Sequence, residues 1–247
     1  VIFQGIFGLK GPQLFFDIAL HGGTLGAVVL VYWSDIVVLF RDVIDYLWDR
    51  VRQKPCPGFF ERPSCRLALW IGVGTIITGV VGLCLEKRIE PLFASPLAVG
   101  VALLVTGTVL WVTSYVPGSG REMAAMKVGD AVWVGLAQGA ALIPGLSRSG
   151  VTVSAALFRG VDREACARFS FLLMIPATIG AIGLKGLSSA SHASLSAVVV
   201  LLGTVVAFLT GYASLRFLLN LIRRGRFHRF AYYCWGVGGL SVILSLP

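Results

Sequence analysis

Between Pro144 and Thr152 the chain reads Pro-Gly-Leu-Ser-Arg-Ser-Gly-Val-Thr, which gathers a permanent cation, three hydroxyls and two glycines into nine residues. Each residue type suits an oxyanion. The guanidinium of Arg148 is a planar fork of donors matched to phosphate oxygens. Gly145 and Gly150 let the backbone turn and approach a ligand closely, and the first amides of a helix point unpaired donors at negative charge. Ser147, Ser149 and Thr152 add hydroxyls on the same stretch. The plainer alternative makes Arg148 a clamp on backbone carbonyls and the serines helix caps. A charged arginine within apolar sequence favours the functional reading, because burying it in a bilayer costs at least about 2.5 kcal/mol.

Other candidates are sparser. Asp17 and His21 stand four residues apart in an apolar segment, as a proton-transfer pair or as a hydrogen-bonded pair between helices. Gln138 lies upstream of the glycine turn, facing its cavity or bonded inside the fold. The five cysteines form no CxxC and have no histidine at zinc-ligand spacing, so they read as free thiols with no metal site in this chain.

These residues must be positioned by membrane-embedded helices. Of 247 residues, 56% are hydrophobic and 13% charged, about half the charge of a soluble domain. Apolar segments near 14–33, 67–85, 93–115, 166–186, 194–219 and 230–246 approach or exceed the roughly 20 residues that cross a bilayer. The net charge of +9 resides in short loops instead of one soluble face, which argues against nucleic acid as a partner. With the loop from Ser34 to Arg66 placed in the cytoplasm, fifteen basic residues fall inside and four outside, the asymmetry of a multi-pass membrane protein. Trp33, Trp48, Trp70 and Trp111 sit near span ends as belt residues.

The segment from Asp130 to Phe158 breaks this pattern. Its first apolar arm, Ala131 to Ile143, has 13 residues, roughly 20 Å of helix and too short to cross. Basic loops of the same sidedness flank it, so it reads as a re-entrant helix, turn and helix dipping to mid-membrane. Irregular backbone at that depth must line a cavity or be buried in protein.

An internal similarity pairs 15–27 with 169–181, sharing Phe, Thr, Gly and Ala at equivalent places. The two copies run in opposite senses through the membrane, as in inverted repeats. The chain is read as one integral membrane domain, all-α and polytopic, with repeat 1 over about 1–115 and repeat 2 over about 130–247. A re-entrant element preceding the first copy is expected upstream, and Val1 in place of an initiator methionine agrees with a chain continued there.

The stretch Ala141 to Thr152, followed by Asp162-Arg163-Glu164-Ala165 and by Arg168 to Leu173, resembles the second signature of the bacterial undecaprenyl-diphosphate phosphatases, also called bacitracin-resistance proteins. Phe16 to Thr24 is similar to the segment that follows their first signature. The resemblance covers essentially the whole chain, and the Pro-Gly-x-Ser-Arg-Ser-Gly string is highly specific. It implies paired re-entrant elements and hydrolysis of undecaprenyl diphosphate to undecaprenyl phosphate and phosphate, which regenerates the carrier lipid for cell-wall synthesis and confers bacitracin resistance. By motif position it implies catalytic roles for Arg148 and Ser147. The diphosphate would be held by Gly145, Ser147, Arg148, Ser149, Gly150 and Thr152.

The resemblance further implies a divalent metal, Mg or Ca, whose acidic ligands belong to the first signature. Nothing in this chain matches that signature, so it is expected upstream and this chain alone is expected to be inactive. The expected setting is the bacterial cytoplasmic (inner) membrane with the site opening to the periplasm. Expected partners are the polyprenyl diphosphate, membrane lipids and a second copy as a homodimer. A transporter or flippase of phosphorylated polyprenyl lipids is the rival reading, since broken helices in inverted repeats are a transporter design. A non-catalytic lipid-binding protein is the second.

The basic asymmetry predicts that accessibility labelling places 41–66 and 221–229 in the cytoplasm and 185–193 outside. Labelling of Ser188→Cys only from the cytoplasmic face would overturn this topology.

Overall fold

The computed structural model describes residues 14–55, 57–117, 120–188 and 197–245. Nine α-helices are present among them: α1 (Leu14–Val31), α2 (Trp33–Val51), α3 (Pro63–Ile89), α4 (Pro96–Val112), α5 (Val128–Ala140), α6 (Arg148–Phe158), α7 (Arg163–Ser188), α8 (Ala197–Arg223) and α9 (Phe230–Ile243). The all-α polytopic class expected from composition is what the chain forms. The expected outer loop at 185–193 falls mostly outside the described residues.

Four helical stretches are long and apolar enough to span a bilayer: Pro63–Ala94, Pro96–Tyr115, Arg163–Leu184 and Val198–Arg223. A fifth arises only if α1 is counted with α2, from which it is bent by 75°. Two of the six expected spans therefore differ. The first is α1, which turns sharply at Tyr32 instead of ending in a loop. The last is α9, whose 14 residues make only about 21 Å of helix. The segment 34–51, expected as loop, is the helix α2.

Local sequence sets the helix starts. Ser95 caps α4 by accepting from the Ala98 amide at 3.2 Å, with Pro96 at the first helical position, where its missing N–H is not needed. Asp162 caps α7 by accepting from the amides of Glu164 at 2.9 Å and Ala165 at 3.4 Å. Helix α7 continues through Pro176.

Glycines set how closely the helices meet. Helices α4 and α9 run antiparallel, with Gly100 against Gly238 and Ser241, and Gly107 against Trp235. Helices α3 and α5 lie side by side: a Cβ on Gly135 would come within 2.8 Å of the Gly74 carbonyl oxygen, and one on Gly139 within 2.6 Å of Val81. Gly23 and Gly203 serve the α1–α8 contact in the same way. Within lipid the association of helices rests on such close packing, because burying apolar surface gains little there. Trp70 packs against the core, its indole nitrogen buried and without a hydrogen-bond partner among the described residues.

Helices α5 and α6 form the helix, turn and helix expected from sequence. They have 13 and 11 residues, roughly 20 and 17 Å, and their outer ends are clasped together. The Asp130 side chain, 0% exposed at the start of α5, accepts from Arg121 Nη1 at 2.8 Å and from Arg159 Nε at 3.0 Å. Arg159 lies at the end of α6. The Lys127 amide also donates to Asp130, at 2.9 Å. A backbone pair completes the closure, with the Arg121 amide donating to the Gly160 carbonyl at 2.8 Å and the Asp162 amide to the Arg121 carbonyl at 2.9 Å. Entry and exit therefore share one face of the protein, as the sidedness of the flanking loops required.

Burial opposes ionisation of Asp130, yet the two guanidiniums and the Lys127 amide outweigh it and hold the carboxyl below its usual range. Because the folded value is lowered, the clasp contributes its full stability above the ordinary carboxylate pKa of about 3.9. That contribution is lost as pH falls through the folded value. Asp130→Asn leaves two guanidiniums without their counter-charge. It should cost about 3 kcal/mol, read as earlier melting in detergent at neutral pH. The difference between wild type and variant should shrink in strongly acid buffer.

Candidate functional site

The residues between the two arms make a compact tip. Gly145 has φ +95°, a left-handed conformation that favours glycine. A Cβ there would also lie 2.4 Å from the Val99 carbonyl oxygen and 2.9 Å from the Ala102 Cβ. The tip is thereby pressed onto α4 backbone to backbone. Thr106, 0% exposed on α4, fixes its register: its hydroxyl donates to the Gly145 carbonyl at 3.3 Å and accepts from the Ser147 amide at 3.2 Å.

Ser147 is the N-cap of α6, its Oγ accepting from the Gly150 amide at 3.2 Å. The bond occupies a lone pair and leaves the hydroxyl proton free to donate. The amides of Arg148 and Ser149, in the first turn of α6, find no backbone acceptor among the described residues. Such first-turn donors with a helix behind them attract an anion.

Arg148 is half-buried, and among the described residues its side chain makes one hydrogen bond, from Nη1 to Thr178 Oγ1 on α7, at 3.1 Å. It forms no ion pair among the described residues, unlike Arg121, Arg159, Arg168 and Arg223. Four of its five N–H donors remain uncommitted. The clamp reading required carbonyl partners, and none is found among the described residues. Ser147 and Arg148 lie level with Thr106 and Thr178, each well inside its own helix.

Of the remaining candidates, Thr152 and Gly150 adjoin this group, whereas Gln138 and His21 bond elsewhere. Thr152 is 1% exposed and donates to the Arg148 carbonyl at 2.8 Å, so it supports the first turn of α6 from within. Gly150 is buried close to Ser147. Gln138 is 1% exposed and donates from Nε2 to Thr78 Oγ1 at 3.2 Å, tying α5 to α3. Its Oε1 is buried without a hydrogen-bond partner among the described residues. His21 is exposed, and its Nδ1 lies 2.7 Å from the Asp17 backbone carbonyl, with no bond to the Asp17 carboxylate.

Thr106, Thr178 and Thr78, which hold the tip, Arg148 and Gln138 respectively, were missed in the sequence. Threonine in an apolar helix commonly bonds its own preceding turn, as Thr75 and Thr204 do here. Only contacts between helices distinguish the ones that matter.

The divalent metal implied by the resemblance finds no fit here. Among the described residues no three His, Cys, Asp or Glu side chains converge, and the tip offers amides, hydroxyls and a guanidinium, which are donors for anions. Two clefts lie elsewhere, at the α1–α2 elbow beside Asp35 and Arg168 and at the end of α8 beside Arg224 and Arg229.

Comparison with known proteins adds independent information. The family model described as "Bacitracin resistance protein BacA" matches residues 1–240. A Desulfatibacillum aliphaticivorans protein named undecaprenyl-diphosphatase is 41% identical over 249 residues, covering 99% of this chain and 90% of that protein. Proteins of the same name from Desulfosudis oleivorans and Desulforapulum autotrophicum are 40% and 42% identical, covering 100% and 98% of this chain and 90% and 88% of their own lengths.

Thr106→Val keeps the shape of the side chain but removes both of its bonds to the tip. Leaving the Ser147 amide and the Gly145 carbonyl unpaired should cost about 1 to 3 kcal/mol, seen as a lower melting temperature. Gly145→Ala should be more damaging, since it adds backbone strain to the collision with Val99. Unchanged melting of Gly145→Ala would show that the tip is not seated on α4.

Proposed function

Because the chain belongs to the bacitracin resistance protein BacA family, we infer that it is an undecaprenyl-diphosphatase whose diphosphate is held at the tip of the α5–α6 hairpin. The family establishes a hydrolase embedded in the membrane. What supports the location is the half-buried guanidinium of Arg148, without a counter-charge among the described residues, at the start of a helix whose first amides are free.

In this reading Arg148 grips two oxygens of the diphosphate, and the amides of Arg148 and Ser149 donate to a third. The hydroxyls of Ser147 and Ser149 complete the cradle, with Gly145 letting the tip turn tightly against α4, Gly150 holding Ser147 through its amide and Thr152 bracing the helix turn. As the attacking oxygen bonds to the terminal phosphorus, the bridging P–O bond breaks. Its electron pair leaves on the undecaprenyl phosphate. Charge gathers on the equatorial oxygens during this step, where donors fixed in advance are most effective. The attacker is either a water or a serine hydroxyl, with Ser147 the serine candidate. A serine attack would make a phosphoserine that water then hydrolyses. In both routes the products are undecaprenyl phosphate and inorganic phosphate.

The finer setting belongs to the same proposal. The protein resides in the bacterial inner membrane as two inverted repeats, approximately 1–115 and 130–247. The Asp130 clasp lies on the cytoplasmic side, so the tip points toward the periplasm and the site opens there.

Phosphate release from undecaprenyl or farnesyl diphosphate, measured on reconstituted protein, tests the reaction and separates it from lipid flipping. Arg148→Lys keeps the charge but loses the bidentate fork. It should lower turnover per folded molecule by roughly 100-fold to 1000-fold, and Arg148→Ala by at least as much. Normal turnover with a poor yield of monodisperse protein would return Arg148 to a structural role.

A further inference from the structure

Helix α2 carries its most exposed apolar residues on the side away from the protein. Its protein-facing side mixes acidic and apolar residues: Asp35 pairs with Arg168 of α7, Asp49 accepts from Arg62 Nη2 at 3.2 Å, and Ile36 packs against the core. Between the two aspartates the Asp42 backbone carbonyl accepts from the Cys65 thiol at 3.6 Å. The side facing away carries Trp33, Val37, Phe40, Ile44, Leu47 and Val51, all between 44 and 77% exposed. They recur every three or four residues and so form one continuous stripe. No residue of α2 is buried.

We propose that the outward stripe of α2 is a membrane-surface helix seated in the headgroup region of the lipid leaflet on the Asp130 side of the protein. The occupant of the stripe is therefore lipid. Helices α1 and α3 flank α2, and α3 begins one of the long apolar spans. Both leave the bilayer at its level, so α2 is held at that surface. The 75° bend after Val31 lays it close to the membrane plane when α1 stands near the normal. Its charged residues rule out a crossing of its own.

The ends of the stripe carry the side chains of a lipid interface. Trp33 and Trp48 are 59 and 55% exposed, and the Arg52 guanidinium lies 4.6 Å above the Trp48 ring. Indoles prefer the headgroup depth, and arginines beside them meet lipid phosphates. The Asp35–Arg168 and Asp49–Arg62 pairs turn the polar side toward the protein and thereby fix which face the lipid sees.

The full chain reconstituted in phosphatidylglycerol–phosphatidylcholine vesicles provides the test. Acyl chains brominated either near the headgroup or near the terminal methyl quench tryptophan at different depths. Comparing wild type with Trp33→Phe/Trp48→Phe isolates the contribution of α2. The proposal expects that contribution to be quenched more strongly by shallow bromine than by deep bromine. Phe40→Trp, in the middle of the stripe, should add a new component with the same depth preference, and it serves as the reporter if the double variant folds poorly. An α2 contribution that neither bromine position quenches would overturn the proposal. So would disulfide cross-linking between copies through Ile44→Cys in the same vesicles, because the stripe would then be covered by a second chain.

Discussion

A hairpin that enters and leaves a membrane through one face has no length of its own to hold it there. Neither α5 nor α6 can reach the far surface, so the position of every residue at the tip depends on how the two bases are joined. One carboxylate makes the joint. Asp130 receives a guanidinium from the loop before α5, another from the end of α6 and an amide from its own first turn. A buried ion pair is an uncertain source of net stability. Its geometric effect is definite, since two chain segments that could separate are brought to one point.

The upper end is secured by a different means. Gly145 and Gly135 meet the backbones of neighbouring helices with no side chain between, and Thr106 satisfies a carbonyl and an amide that the turn exposes. The backbone of the tip is thus neutralised by its surroundings, while the Arg148 side chain keeps most of its donors uncommitted. A site that receives a highly charged diphosphate within lipid needs both properties. The donors must be fixed beforehand, and the protein must not already have paired them.

The hairpin was legible in the sequence because arm length and flanking charge are one-dimensional facts. So was the Ser147–Arg148–Ser149 group, because a charge amid apolar residues stands out without knowledge of neighbours. Helix α2 was not legible as an element. Its aspartates at 35, 42, 45 and 49 look like those of a solvated loop, and the partners of Asp35 and Asp49, on α7 and before α3, come from distant sequence. The shortness of α9 was hidden by an apolar run that continues past Ile243. Gln138 and Thr152 were recognisable as polar residues at the right places. Whether such a side chain faces a cavity or a neighbouring helix depends on rotation about the helix axis, which near-uniform hydrophobicity does not reveal.

Thr178, the residue that holds Arg148, lies two positions beyond Pro176 on α7. Proline has no amide proton, so the carbonyl one turn earlier, on Leu172, lacks its usual helical donor. The turn beneath Thr178 is consequently one bond weaker than its neighbours. The anchor of the arginine therefore sits where one backbone bond is missing, on a helix whose start is fixed by the Asp162 cap and the Arg168–Asp35 pair. A guanidinium released by such a support can follow an oxygen anion a short way without disturbing the clasp at the opposite end of the hairpin.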